Sequence, residues 1–212
     1  VVNNTIAYNV DGVRLVDTGS GIPNIANVYN NIIVGSDGAG IRSVNTAGAT
    51  IDFNDVFQNL GGNYVNVQQI GTHNISADPL FGKPLRRPTT GRPDPTQANW
   101  RLGSFSPVID AGLGNEDSNA NGNLDAGEDQ NGNNKLDAPP TLDHNKNARF
   151  DDAGVLNLGR GVPTFVDIGA FERQANSLGT PGGNVAGKIA VRAVDTVLAI
   201  GDHTALGSEL DM

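Results

Sequence analysis

Acidic and amide side chains concentrate between Glu116 and Asp152, and their spacing there is that of an oxygen cradle for a cation. The segment Asp117-Ser118-Asn119-Ala120-Asn121-Gly122-Asn123-Leu124-Asp125-Ala126-Gly127-Glu128 matches the 12-residue calcium loop at every ligand position. Asp117, Asn119 and Asn121 place side-chain oxygens at positions 1, 3 and 5. Gly122 stands at position 6, where the chain must turn with positive φ. Asn123 offers a backbone carbonyl at position 7, Asp125 a carboxylate or a held water at 9, and Glu128 a bidentate carboxylate at 12. Leu124 supplies the apolar side chain by which such loops pack.

The pattern restarts at once. Asp129, Asn131 and Asn133 repeat Asp117, Asn119 and Asn121, Lys135 takes the carbonyl place of Asn123, Leu136 that of Leu124, and Asp137 that of Asp125. Asn134 replaces the turn glycine, and Asn tolerates the left-handed conformation best among the alternatives. The twelfth position falls on Pro140, which has no side-chain oxygen. Either the second loop is completed from elsewhere, with Asp143 the nearest candidate, or it binds weakly or stays empty. A strand and turn at Ser106–Gly112 precede the first loop and another loop follows it. The pair is therefore closer to the helix-poor calcium loops of dockerin or thrombospondin-type repeats than to an EF-hand. Ca2+ is the expected cofactor.

Little else has the spacing of a catalyst. His73, His144 and His203 are far apart and outside any zincin or triad motif. Gly19-Ser20-Gly21 lacks the strand-to-helix setting of a nucleophile elbow. His144, between the second loop and Arg149, is the best placed for acid–base work beside a metal. The basic run Lys83-Pro84-Leu85-Arg86-Arg87-Pro88 with Arg92 reads as a solvated loop, with an acidic sugar as the alternative ligand. A net charge of −9 argues against nucleic acid, whose phosphates demand Lys and Arg. Zero cysteines exclude disulfides, thiolate catalysis and a zinc–sulfur site. No apolar run approaches the roughly 20 residues that span a bilayer.

Such loops need a frame, and composition favours one built of turns and short strands: 28 glycines, 37% hydrophobic and only 5% aromatic residues disfavour a large mixed core. Three segments superpose, Val2-Asn3-Asn4-Thr5-Ile6, Tyr29-Asn30-Asn31-Ile32-Ile33 and Phe53-Asn54-Asp55-Val56-Phe57. That alignment sets Asn30 against Asn54. Each segment is followed by a second short strand, starting at Gly12, Gly40 and Asn63, and a third shows at Asn27–Tyr29 and Thr50–Phe53. The alternation of apolar with polar residues is strand periodicity. Units of about 22 to 28 residues with two or three strands suit the coils of a stacked repeat, whose inward Val, Ile and Leu form ladders that no coil could bury alone. Asn at equivalent positions would stack in an amide ladder.

Beyond the repeats come Ile75-Ser76-Ala77-Asp78-Pro79-Leu80-Phe81, Asn99-Trp100-Arg101-Leu102, Ser106-Pro107-Val108-Ile109-Asp110-Ala111-Gly112 and finally Asp167-Ile168-Gly169-Ala170-Phe171-Glu172, with Asp143 to Arg149 before the last. This succession resembles the C-terminal end of secreted bacterial right-handed parallel β-helix proteins of the pectate-lyase-like superfold. It covers roughly residues 1 to 173, is specific for fold and is uninformative about activity, since that ending closes lyases, hydrolases, epimerases and proteins with no known reaction. The resemblance implies an all-β, right-handed parallel β-helix of about three short coils plus terminal coils over 1–173, and the calcium-loop insertion at 113–152 departs from the family's pattern. It also implies a secreted or cell-surface location. Residues 174–187 read as a linker and 188–212 as a strand segment or truncated extension.

The expected function is a calcium-binding extracellular domain related to polysaccharide-active proteins, with calcium chiefly structural. The alternative is a small calcium-dependent hydrolase or lyase, whose ion would act as Lewis acid on an ester, phosphoester or uronate. The expected partners are a carbohydrate or other small molecule and, because Val1 begins in mid-coil, a second copy of the chain that covers the open end.

Overall fold

Runs of two to four β-branched or aromatic residues, closed off by Asn, Asp and Gly, favour short strands that turn after a single pass. The computed structural model describes residues 1–17, 26–44, 49–83, 93–94 and 97–174. Its strands are β1 (Thr5–Ala7), β2 (Val13–Val16), β3 (Ala26–Tyr29), β4 (Ile32–Val34), β5 (Ile41–Val44), β6 (Ala49–Asp52), β7 (Asp55–Phe57), β8 (Tyr64–Val65), β9 (Phe81–Lys83) and β10 (Asn99–Leu102). The chain divides into two units, Val1–Arg173 and Gln174–Met212. Residues 175–212, with the expected strand segment and His203, lie outside the described residues, as do Gly19-Ser20-Gly21 and the basic residues 84–92. Among the described residues no helix is long and apolar enough to cross a membrane.

Strands of successive repeats fall into three sheets, β1-β4-β7, β2-β5-β8 and β3-β6, and every pairing within them is parallel. All three sheets contribute to one interior of Val13, Leu15, Val28, Ile33, Ile41, Ile51 and Val56. Strand β4 is buried at every position because its two faces meet two cores. Ile33 points into the interior, while Ile32 and Val34 join a second cluster with Phe81, Leu102, Val108, Ile109 and Ile168. A strand covered on both faces reads as a continuous apolar run, which is what Ile32-Ile33-Val34 is. Each such side chain contributes about 1.5–3 kcal/mol when fully buried.

The asparagine ladder forms, one residue away from where the aligned segments put its second step. Asn31 Oδ1 accepts the backbone N–H of Asn4 (3.0 Å) and its side-chain amide (3.1 Å), Asn54 serves Asn31 in the same way, and Asn74 serves Asn54. The register is Ile33 on Val56 and Ile32 on Asp55, not Ile32 on Val56. Setting Tyr29 against Phe53 matched two aromatics, but that pairing would turn Val56 out of the interior, since a one-residue slip exchanges the faces of a strand. Asn3, Asn30 and Phe53 form a neighbouring column with φ of 51°, 56° and 54°.

Of the segments expected as terminal coils, Ile75 extends β1-β4-β7 by one parallel bridge to Asp55, and none adds a full strand to the three parallel sheets among the described residues. β9 and β10 pair antiparallel, and the remaining segments cover the outer face of β1-β4-β7. Ile168 N donates to Val108 O (3.0 Å) and Gly112 N to Val166 O (2.7 Å), so the two segments run side by side. Ala170 N reaches Thr5 Oγ1 (3.2 Å) and Gly169 N reaches Asn30 O (2.9 Å). The physical reason is the outward apolar pair Ile32 and Val34, which a further coil stacked on the end would leave in water.

Candidate metal centre

Asn30 fixes the point from which the insert leaves. Its amide is fully buried, donates to Leu113 O (2.7 Å) and accepts from Leu113 N (2.7 Å). Leu113 packs with Tyr29 and Phe53. A stem follows, with Gly114 N on Arg160 O (2.7 Å) and reciprocal bonds between Asn115 and Val162 (3.0 and 2.8 Å). Gly112 is required here: a Cβ would stand 2.8 Å from Val166 O and 3.0 Å from Asn30 Oδ1.

Within the first loop, Asp117 accepts from Asn121 N (3.0 Å) and Gly122 N (2.9 Å). Asn121 Oδ1 accepts from Asn123 N (2.7 Å). The side-chain amides of Asn119 and Asn121 both donate to Asp125 Oδ2, at 2.8 and 2.7 Å. Glu128 spans the loop: Oε1 accepts from Ser118 N (2.9 Å) and Ser118 Oγ (2.8 Å), and Oε2 from Asp125 N (3.0 Å). Gly122 has φ +74° with nothing near its absent Cβ, so conformation alone selects glycine there. Leu124 is 39% exposed rather than packed.

The second loop repeats the Asp and Asn bonds of this arrangement. Asp129 accepts from Asn133 N and Asn134 N (both 2.9 Å), Asn133 Oδ1 from Lys135 N (2.8 Å), and Asp137 Oδ2 from the amides of Asn131 and Asn133 (2.7 and 2.6 Å). Asn134 takes the left-handed turn at φ 59°. Glu116, which the loop signature had left out, stands where Glu128 stands in the first loop. Its Oε1 accepts from Gln130 N (2.8 Å) and Asn131 N (3.2 Å), and its Oε2 from Asp137 N (2.9 Å). A signal for it was in the sequence: Glu116 precedes Asp117 as Glu128 precedes Asp129.

Asp143, the expected completing residue, is committed elsewhere. Oδ1 accepts from Asn147 N (2.7 Å), and Oδ2 from the Asn147 amide (3.0 Å) and Glu172 N (3.2 Å). Arg149 pairs with Glu172 (2.7 Å) and also donates to Pro140 O (2.9 Å). The His144 ring lies edge-on to Phe171 at 5.3 Å. Away from the insert, His73 Nδ1 meets Asp52 Oδ2 at 2.8 Å with its ring stacked on Phe53 at 4.4 Å, a pair that only the stacking of repeats creates.

Electrostatics separate the two closing glutamates. Hydrogen bonds, first that from the Asp125 N–H, hold the Glu128 carboxyl below its ordinary range. Burial pushes Glu116 up against the pull of its three N–H donors, and Asp137 adds to the rise. The second loop lies against β3, where the Asn27 amide reaches Asp137 (3.4 Å), and Tyr29 is pushed up by burial and then by Asp137 and Glu116. The donor set is oxygen throughout, which suits a hard cation. In each loop two amide N–H groups converge on the position-9 carboxylate as a cation would, and a half-turn about Cβ–Cγ exchanges nitrogen for oxygen there. No group of three or more His, Cys, Asp or Glu side chains among the described residues could hold a metal by itself, so amides and backbone carbonyls must complete any site. Comparison with family models, curated proteins and solved structures found no match.

Proposed function

We propose that the chain is a right-handed parallel β-helix domain of an extracellular protein related to polysaccharide-active proteins, and that its insert binds Ca2+ as a structural staple. The three parallel sheets around one interior support the fold. The observation that carries the calcium reading is the first loop. A 12-residue ligand signature coincides there with a backbone already wrapped as such loops are, positive φ at Gly122 included. Asp117, Asn119, Asn121, Asp125 and Glu128 would hold the ion with the carbonyl of Asn123.

A structural role is favoured over Lewis-acid catalysis by what surrounds the insert. His144 is packed against Phe171, and the Arg149 guanidinium is engaged by Glu172 and Pro140. The Arg149 guanidinium is thus not left to meet a substrate on a metal, whereas the exposed His144 ring is held by its aromatic neighbour alone. The test is thermal unfolding in millimolar calcium and in excess EGTA. Because the unfolded chain cannot gather these oxygens, calcium at 100 times Kd adds about 2.7 kcal/mol, and the melting temperature rises accordingly. Equal melting temperatures would contradict the reading.

A further inference from the structure

We infer that Glu116 is the twelfth ligand of the second loop, so that the two loops close one another and hold two calcium ions as a coupled pair; this rests on the calcium reading above. The closing carboxylate of the first loop does two things: one oxygen holds the N–H of position 2 (Ser118) and the other that of position 9 (Asp125). Glu116 does both for the second loop, at Gln130 and Asp137. No residue within the second loop's own span offers this. Pro140 has no side-chain oxygen and its carbonyl accepts from Arg149, and Asp143 serves the turn at Glu172.

Charge points the same way. Glu116 is 1% exposed, yet none of Glu116, Asp129 and Asp137 has a Lys or Arg partner among the described residues, whose ion pairs lie elsewhere. A carboxylate held out of water as Glu116 is needs a countercharge, and a divalent cation among these oxygens supplies it. The coupling follows from connectivity. Glu116 is bonded to Asp117, the first ligand of the first loop, and Glu128 to Asp129, the first ligand of the second. An ion in either loop therefore fixes the peptide that carries the other's first ligand. Filling the second loop also fastens the insert to the repeats, where the Asn27 amide already reaches Asp137 (3.4 Å).

Calorimetric titration of the full chain with calcium chloride tests this. Wild-type protein is expected to take up two ions per chain, Glu116→Gln one, and Asp129→Asn one. The double variant should lose no more than either single variant, because both remove the same ion. Glu128→Gln should remove the other. Two ions at unchanged affinity in Glu116→Gln would overturn the inference. So would loss of the second ion in Asp143→Asn but not in Glu116→Gln, which would transfer the role to Asp143. A wild-type chain that binds one ion, lost in Glu128→Gln and kept in Glu116→Gln, leaves the calcium reading standing and removes this one; no binding at all removes the calcium reading itself. Should Glu116→Gln fail to fold, as judged by its melt in EGTA, Glu116→Asp decides instead. It keeps the charge and shortens the reach, and is expected to weaken one ion by about 10–100-fold and the other by less; unchanged affinity for both overturns the inference.

Discussion

The two loops share a bond pattern and differ in setting. Residues 118–127 of the first are exposed, whereas the second is half-buried at Asp129, Asn131, Asn133, Leu136 and Asp137 and lies against β3. The first is closed from its own C-terminal end, the second by a glutamate that precedes the first. The first takes its tight turn with Gly122, the second with Asn134; one position pair earlier the choice is reversed, with Ala120 at φ 57° and Gly132 at φ 73°. A self-contained loop announces itself in sequence because all its ligands fall in one window. A loop completed by the frame does not, and its properties depend on what holds the frame.

The largest way to break this asymmetry is at the frame. Asn30→Ala leaves the buried N–H and C=O of Leu113 without partners, at about 1–3 kcal/mol each, and puts alanine at φ 56°. Loss of about 2–6 kcal/mol in urea unfolding is expected, with calcium affinity falling more for the ion removed by Asp129→Asn than for that removed by Glu128→Gln. Equal weakening of both would mean that the second loop does not depend on the stem.

The next effect separates the frame's own buried charge from that of the loops. Asp110 is fully buried, and neither carboxylate oxygen has a hydrogen-bond partner. Burial, with Asp151 and Glu172 adding and Arg173 opposing, pushes its carboxyl up to about 7 from 3.8. A raised acid favours the protonated fold, so its stabilisation is present below pH 3.8 and is lost as pH rises through about 7. Asp55, also pushed up to about 7 by burial, acts in the same direction. In EGTA, stability should therefore decline between pH 5 and pH 8, and Asp110→Asn should flatten that decline and gain about 1–3 kcal/mol at pH 8. Chemical unfolding across that range checks it; a variant that loses stability at pH 8 would show that the ionised carboxylate has a partner after all.

The smallest effect lies in the exposed loop. Ala120→Gly relieves a left-handed alanine that costs about 1–2 kcal/mol, less the entropy that glycine adds to the unfolded chain, roughly 0.5–1 kcal/mol. A gain of up to about 1 kcal/mol is expected in calcium-saturated melts, while Gly132→Ala in the second loop loses a similar amount. Both changes in the same direction would contradict the repeat correspondence.

The same contrast governs what could be read from residues alone. Parallel strands and the first loop were legible because periodicity and ligand spacing are local. The step from Asn31 to Asn54 was not, because two aromatics one residue apart offered a plausible match that only the pairing of Ile33 with Val56 rules out. The covering role of Ser106–Gly112 and Asp167–Glu172 was hidden as well. Their hydrophobic pattern says they are buried, and only the outward faces of Ile32 and Val34 say against what. Glu116 was missed for the plainest reason: it lies outside the window of the loop it closes.

Diffraction at long wavelength from crystals grown in saturating calcium tests the account most directly, because the anomalous signal locates each ion. Two peaks are expected, one within about 2.3–2.6 Å of oxygens from Asp117 and Glu128 and the other at the same range from Asp129 and Glu116. An insert without an anomalous peak, or with a single peak shared between the loops, would contradict it.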